Sequence, residues 1–182
     1  MRRLLVLTAS ALVALTTSVV LSSADVPRNV TIMGTEHFVP NALINADFRF
    51  SPGPLSVKSG DTVTWQNATT DGHTISIVPS QPATVGDVFM CGAPGTVCAP
   101  ILQCHFPGGF GNGGPPPAIN PFCGNAANGQ LSAVGDSFLI PPPGIGPPSL
   151  QTVTAIITAP AGTTLLYMCV IHPWMQGSIV VH

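Results

Sequence analysis

The sequence predicts an all-β domain, an antiparallel sandwich or barrel, on three observations. Apolar residues alternate with polar ones in short runs, turn residues separate those runs, and no segment sustains a helical period. Many short strands with one apolar face bury that face best against a second sheet.

Taken in order, the first element is not a strand. MRRLLVLTASALVALTTSVVLSSA has the three parts of a secretory signal: Arg2 and Arg3, an apolar run from Leu4 to Leu21, and a small-residue site at Ser22-Ser23-Ala24. Cleavage before Asp25 leaves 158 of the 182 residues, enough for one domain with a core. An uncleaved segment would instead anchor the chain in a membrane.

NVTIMG places Val30 and Ile32 on one face. FRFSPGPLSVKSGDTVTWQN reads as strand, turn and strand, with Ser59-Gly60-Asp61 turning and Val63 and Trp65 facing the same way. In HTISIV, His73, Ile75 and Ile77 share a face and Thr74 and Ser76 take the other. Pro79 to Gly135 then breaks the pattern, with Gly and Pro content that disrupts helix and sheet interiors. PPPGIGPP (141–148) is a stiff connector with polyproline character. QTVTAII, the turn APAG, TTLLYMC and GSIVVH restore alternation. The expected organisation is one domain over 25–182, with sheet-forming portions 25–78 and 136–182 and an insertion at 79–135.

After cleavage three basic residues (Arg28, Arg49, Lys58) stand against seven acidic ones, a formal charge of −4. That balance excludes a nucleic-acid partner. Five cysteines in an exported chain read as pairs plus a remainder. Cys91, Cys98, Cys104 and Cys123 cluster and allow three pairings, and cross-links there would staple the irregular segment. Their spacing lacks the C-x2-C knuckle of a zinc site. Cys169 stands apart as the odd thiol.

Cys169, His172 and Met175 follow the spacing C-x2-H-x2-M. Thiolate and imidazole bind copper well, and a long thioether contact is the weak axial ligand of electron-transfer copper. One more imidazole is needed. His73, on an apolar inward face, must find either a hydrogen-bond partner or a metal, and it is the candidate. Met168 adjoins Cys169 and points to the opposite face as packing, while Met90 has no ligand spacing. Trp174 and Tyr167 read as structural apolar residues. His37, His105 and His182 are scattered, without the H-x-H pairs a multicopper centre needs. Asn29-Val30-Thr31 and Asn67-Ala68-Thr69 match the glycosylation pattern, which is common by chance.

PGPLSVKSGDTVTWQNATTDGHTISI and LLYMCVIHPWMQGSIVVH together resemble the cupredoxins, the small blue copper proteins. The ligand loop CVIHPWM is most similar to the C-x2-H-P-x-M form of the amicyanins. The resemblance covers 29–78 and 136–182 and leaves the Cys-rich insertion outside. It implies a Greek-key β-sandwich with one type 1 copper ion held by His73, Cys169, His172 and Met175. Cys169 would supply the strong thiolate bond and Met175 the distant sulfur. Thr74 follows the first ligand where many relatives carry Asn, which ties the two ligand segments together.

The function so implied is that of a secreted or periplasmic one-electron carrier, not an enzyme, exchanging electrons with transient redox protein partners through the edge of His172. It takes no small-molecule substrate. The alternative is a copper chaperone or storage protein, which would release its ion.

Overall fold

The computed structural model describes residues 28–109, 119–145 and 148–182. The signal segment, part of the irregular stretch and part of the proline connector therefore lie outside the described residues.

Two sheets form the body. The first comprises β1 (Arg28–Met33), β4 (Arg49–Ser51), β6 (Thr62–Asn67), β9 (Gln130–Leu131) and β11 (Thr152–Ile157), in the order β4-β1-β6-β11-β9. The second comprises β5 (Pro54–Val57), β7 (His73–Val78), β8 (Phe122–Cys123), β10 (Ser137–Ile140), β12 (Thr164–Met168) and β13 (Gln176–Val181), in the order β5-β13-β12-β7-β10-β8. A separate hairpin pairs β2 (Glu36–Val39) with β3 (Leu43–Ala46). The architecture is a β-sandwich.

The sheets are mixed, not wholly antiparallel. β1 runs parallel to β6, β5 to β13, and β9 to β11. The chain crosses between sheets at β4, β5 and β6, so sheet neighbours come from distant parts of the sequence. That connectivity brings the His73 strand beside the strand that ends at Cys169.

Alternation delivers the core. Val30, Ile32, Val63, Trp65, Ile75 and Ile77 are all at most 1% exposed and form one cluster between the sheets. Each such side chain contributes about 2 kcal/mol by leaving water. Tyr167 lies across this cluster, and its hydroxyl donates to the Gly53 carbonyl at 2.7 Å. Opposite it in register sits Gly177, where any Cβ would collide with the Tyr167 ring and with that carbonyl.

All six residues of β7 are buried, although alternation alone would leave Thr74 and Ser76 facing water. The cover comes from the segment after β7. It folds into α1 (Val85–Met90) and α2 (Ala99–His105), stapled by Cys91–Cys98 and Cys104–Cys123. A capping box starts α1: Thr84 Oγ1 accepts the Asp87 N–H, and Asp87 Oδ2 accepts the Thr84 N–H. Val78, Cys91, Cys98, Ile101, Met168 and Val170 make a second, smaller core on the outer face of the second sheet. Met168 thus packs on the face away from the main core. The chain rejoins the sheets at β8 and β9, upstream of residue 136.

Candidate metal centre

His73 opens β7, and Cys169 follows the last residue of β12. β7 and β12 are neighbours, so both residues lie at the same end of the second sheet. His172 and Met175 sit on the short turn from β12 to β13. That turn is closed by its own backbone: Cys169 N–H donates to the Met175 carbonyl at 3.0 Å, and Met175 N–H to the His172 carbonyl at 2.8 Å. Pro173 fixes one φ within it.

Three of the four predicted residues converge on one point. Cys169 Sγ lies 4.0 Å from His73 Nδ1 and 3.8 Å from His172 Nδ1, and the two Nδ1 atoms are 3.3 Å apart. Among the described residues this is the one group of three or more His, Cys, Asp or Glu with that geometry. Met175 is 1% exposed beside them on the same turn.

Hydrogen bonds around the cluster decide where its protons are. Thr69 Oγ1 donates to Asn67 Oδ1 at 2.8 Å, so the 2.8 Å contact from His73 Nε2 to Thr69 Oγ1 is a donation by the ring. The Asp71 carboxylate accepts only, so His172 Nε2, 3.3 Å from Asp71 Oδ2, also carries its ring's hydrogen. Both neutral imidazoles therefore present bare Nδ1 lone pairs to each other. Two such lone pairs at this distance repel unless a proton or a cation lies between them.

Burial keeps the rings neutral. It pushes His73 down to about 4, helped by His172 and opposed by Asp71. It also lowers His172, against the upward pull of Asp71 and Glu36. The Cys169 thiol, fully buried, is pushed up, although N–H groups of Thr74 (3.3 Å) and His172 (3.4 Å) point at its sulfur. A cation would offset that penalty and organise both lone pairs at once. The donor set, two imidazoles and a thiol beside a buried thioether, suits copper.

Thr74 joins the two segments that carry the cluster. Its Oγ1 accepts the Val170 N–H at 2.8 Å, and its own N–H faces Cys169 Sγ. Phe48, just before β4, closes the site, with ring centroids 5.1 Å from His73 and 4.9 Å from His172. Thr69, Asp71 and Phe48 carry no spacing signature, and reading along the strands did not single them out. Asn67 and Thr69 are both buried and bonded, so their glycosylation pattern marks no exposed acceptor.

No family profile matches the chain, and no curated protein does. Solved structures do. Its structural neighbours are cupredoxins. Auracyanin A, a "blue" copper protein from the green thermophilic photosynthetic bacterium Chloroflexus aurantiacus, is 21% identical over 86% of this chain and 98% of its own, with a TM-score of 0.44. The oxidised form of plastocyanin from Dryopteris crassirhizoma is 19% identical, covering 85% and 99% respectively, with a TM-score of 0.39. Amicyanin from Paracoccus versutus is 14% identical, covering 87% and 83%, with a TM-score of 0.34.

Of the remaining histidines, His37 is exposed on the β2–β3 hairpin and His182 is exposed at the end of the chain, with Nε2 against Ser56 Oγ. His105 is buried and bonded through both ring nitrogens. They do not meet. Met90 is exposed on α1.

Proposed function

We propose that this is an exported blue copper protein that carries single electrons between redox partners, with one copper ion held by His73, Cys169, His172 and Met175. The observation that carries the reading is the convergence of two unprotonated Nδ1 atoms on a buried cysteine sulfur. Copper bound there would supply a one-electron couple.

The chain's own part is to hold the donors still and dry. His73 is fully buried and Cys169 is too, so water is kept from the thiolate. Thr69 and Asp71 fix the two rings from their far sides, while the closed turn fixes Cys169, His172 and Met175 relative to one another. Donors that need not move between oxidation states keep the reorganisation on electron transfer small. His172 is 8% exposed and packs against Trp174, which is 41% exposed. Its edge is the short route to a partner. Beside it an open cleft of about 300 Å³ is lined by apolar groups of α1 and the ligand turn, including Phe89 and Trp174. Transient redox partners bury little area, which suits a small patch of this kind.

A chaperone or storage role would need an ion that exchanges readily, and a buried, pre-bonded donor set opposes exchange. The test is redox cycling. Copper-loaded protein is reduced with ascorbate, exposed to a competing Cu(I) chelator, reoxidised and assayed for retained metal. A carrier keeps its copper through the cycle. Loss of the ion to the chelator in the reduced state would favour the chaperone.

A further inference from the structure

α2 ends on His105, whose imidazole is fully buried between that helix and β10. Nδ1 lies 2.7 Å from the Asn120 carbonyl oxygen, which only accepts, so Nδ1 carries a hydrogen. Nε2 lies 2.7 Å from Ser137 Oγ on β10. Ser137 is the register partner of Ser76 on β7, and their hydroxyl oxygens are 2.7 Å apart. Nε2 is bare in the neutral ring, so Ser137 gives its one hydrogen to it and Ser76 its own to Ser137, which leaves the Thr74 hydroxyl to supply the hydrogen of the 2.9 Å contact with Ser76 Oγ. Thr74 in turn receives the Val170 N–H and aims its own N–H at Cys169 Sγ. His105, Ser137, Ser76 and Thr74 are each 0% exposed.

The series crosses from the disulfide-stapled segment to the metal centre through side chains alone. A buried hydroxyl without a partner is costly, so each member depends on the next for its orientation. Its far end is pinned twice over. The Asn120 carbonyl holds the ring, and the Cys104–Cys123 disulfide ties the end of α2 to β8 beside it.

We infer that His105 is a positioning residue for the Cys169 sulfur. Through Ser137 and Ser76 it sets the orientation of the Thr74 hydroxyl. That hydroxyl holds the Val170 amide, and with it the start of the ligand turn, against β7. Loosening it weakens the N–H donation from Thr74 to Sγ. In a copper-loaded site such donors stabilise the reduced state, which holds more negative charge on the sulfur. Their weakening therefore lowers the reduction potential. The positional claim stands on the geometry alone, and the statement about the potential rests on the copper reading.

The test uses His105→Leu, Ser137→Ala and Ser76→Ala in the full disulfide-bonded chain, with His105→Gln to restore an acceptor toward Ser137. Two readouts are taken. In metal-free protein, the amide resonances of Val170 and Thr74 are followed by NMR. In copper-loaded protein, the thiolate band and the reduction potential are recorded. We expect both amides to shift in all three variants and the potential to fall by up to about 59 mV, a tenfold change in the one-electron ratio. His105→Gln should recover part of both effects. Combining His105→Leu with Ser137→Ala should add little to either alone, because the two act in series. A lower melting temperature with unmoved amides and unchanged potential would reduce His105 to a fold contact and overturn the inference. Should His105→Leu fail to fold, Ser137→Ala carries the same test with a smaller change. A wild-type protein that forms no thiolate band would sink the copper reading, and the amide shifts would still decide the positional claim.

Discussion

Asp71 and His172 meet at the edge of the site, with Asp71 Oδ2 3.3 Å from His172 Nε2. Because the carboxylate only accepts, it commits the ring's hydrogen to Nε2 and frees Nδ1 to face Cys169 and His73. Asp71→Asn removes the charge and lets an amide N–H face the ring instead, which favours the wrong tautomer. Copper affinity should fall about 10- to 100-fold, the usual cost of losing such an outer partner. Asp71 Oδ1 also accepts the Gly72 N–H at 2.7 Å, a bond that Asn can keep, so the fold should persist. Competition with a chelator of known affinity measures the change.

Thr74→Val keeps the shape of the side chain and deletes its hydroxyl. The Val170 N–H would then be buried without its acceptor, and Ser76 Oγ would lose its Thr74 partner. Unfolding free energy should drop by about 1–3 kcal/mol. The same variant should shift the thiolate band, since the turn that carries Cys169 loses its tie to β7. Urea unfolding and the visible spectrum report the two effects separately.

The pH dependence of the metal-free protein follows from the buried imidazoles. His73 is held down to about 4, with burial the main cause, and burial lowers His172 and His105 as well. An unfolded chain therefore takes up protons at a higher pH than the folded one. Stability present above about pH 6.5 is lost as pH falls toward 4. For His73 alone the loss reaches about 3 kcal/mol at the lower end, at about 1.4 kcal/mol per pH unit. Urea titrations at pH 7 and pH 4.5 should show it. A midpoint independent of pH across that window would mean that the rings take up protons in the fold as they do in the unfolded chain. Copper affinity should fall in the same direction, because protons compete for the ligand nitrogens.

Alternation was enough to read the sandwich, since β1, β6 and β7 bury the residues that period-two spacing places inward. The turn from Cys169 to Met175 was legible because it sets a thiol, an imidazole and a thioether within seven positions. Sheet direction was not. Whether β5 pairs beside β13 depends on where the chain crosses between sheets, and no local pattern encodes that crossing. Thr69 and Asp71 were hidden for a similar reason: their roles depend on a turn that folds back on His73, and Ser, Thr and Asp are common in turns of every kind. The cover on the outer face of β7 was not legible, because α1 and α2 lie in a stretch whose Gly and Pro content hid two short helices. Thr74 carries no spacing signal of its own. In the folded chain its hydroxyl meets both the Val170 N–H and Ser76 Oγ, and its own N–H faces the sulfur at 3.3 Å.

One equivalent of Cu(II), added to the purified chain while visible absorption and electron paramagnetic resonance are recorded, bears on the copper centre without further assumptions. The account predicts an intense thiolate-to-copper charge-transfer band and a compressed copper hyperfine splitting, both lost in Cys169→Ser. Copper bound without that band, or a band that survives in Cys169→Ser, would contradict it.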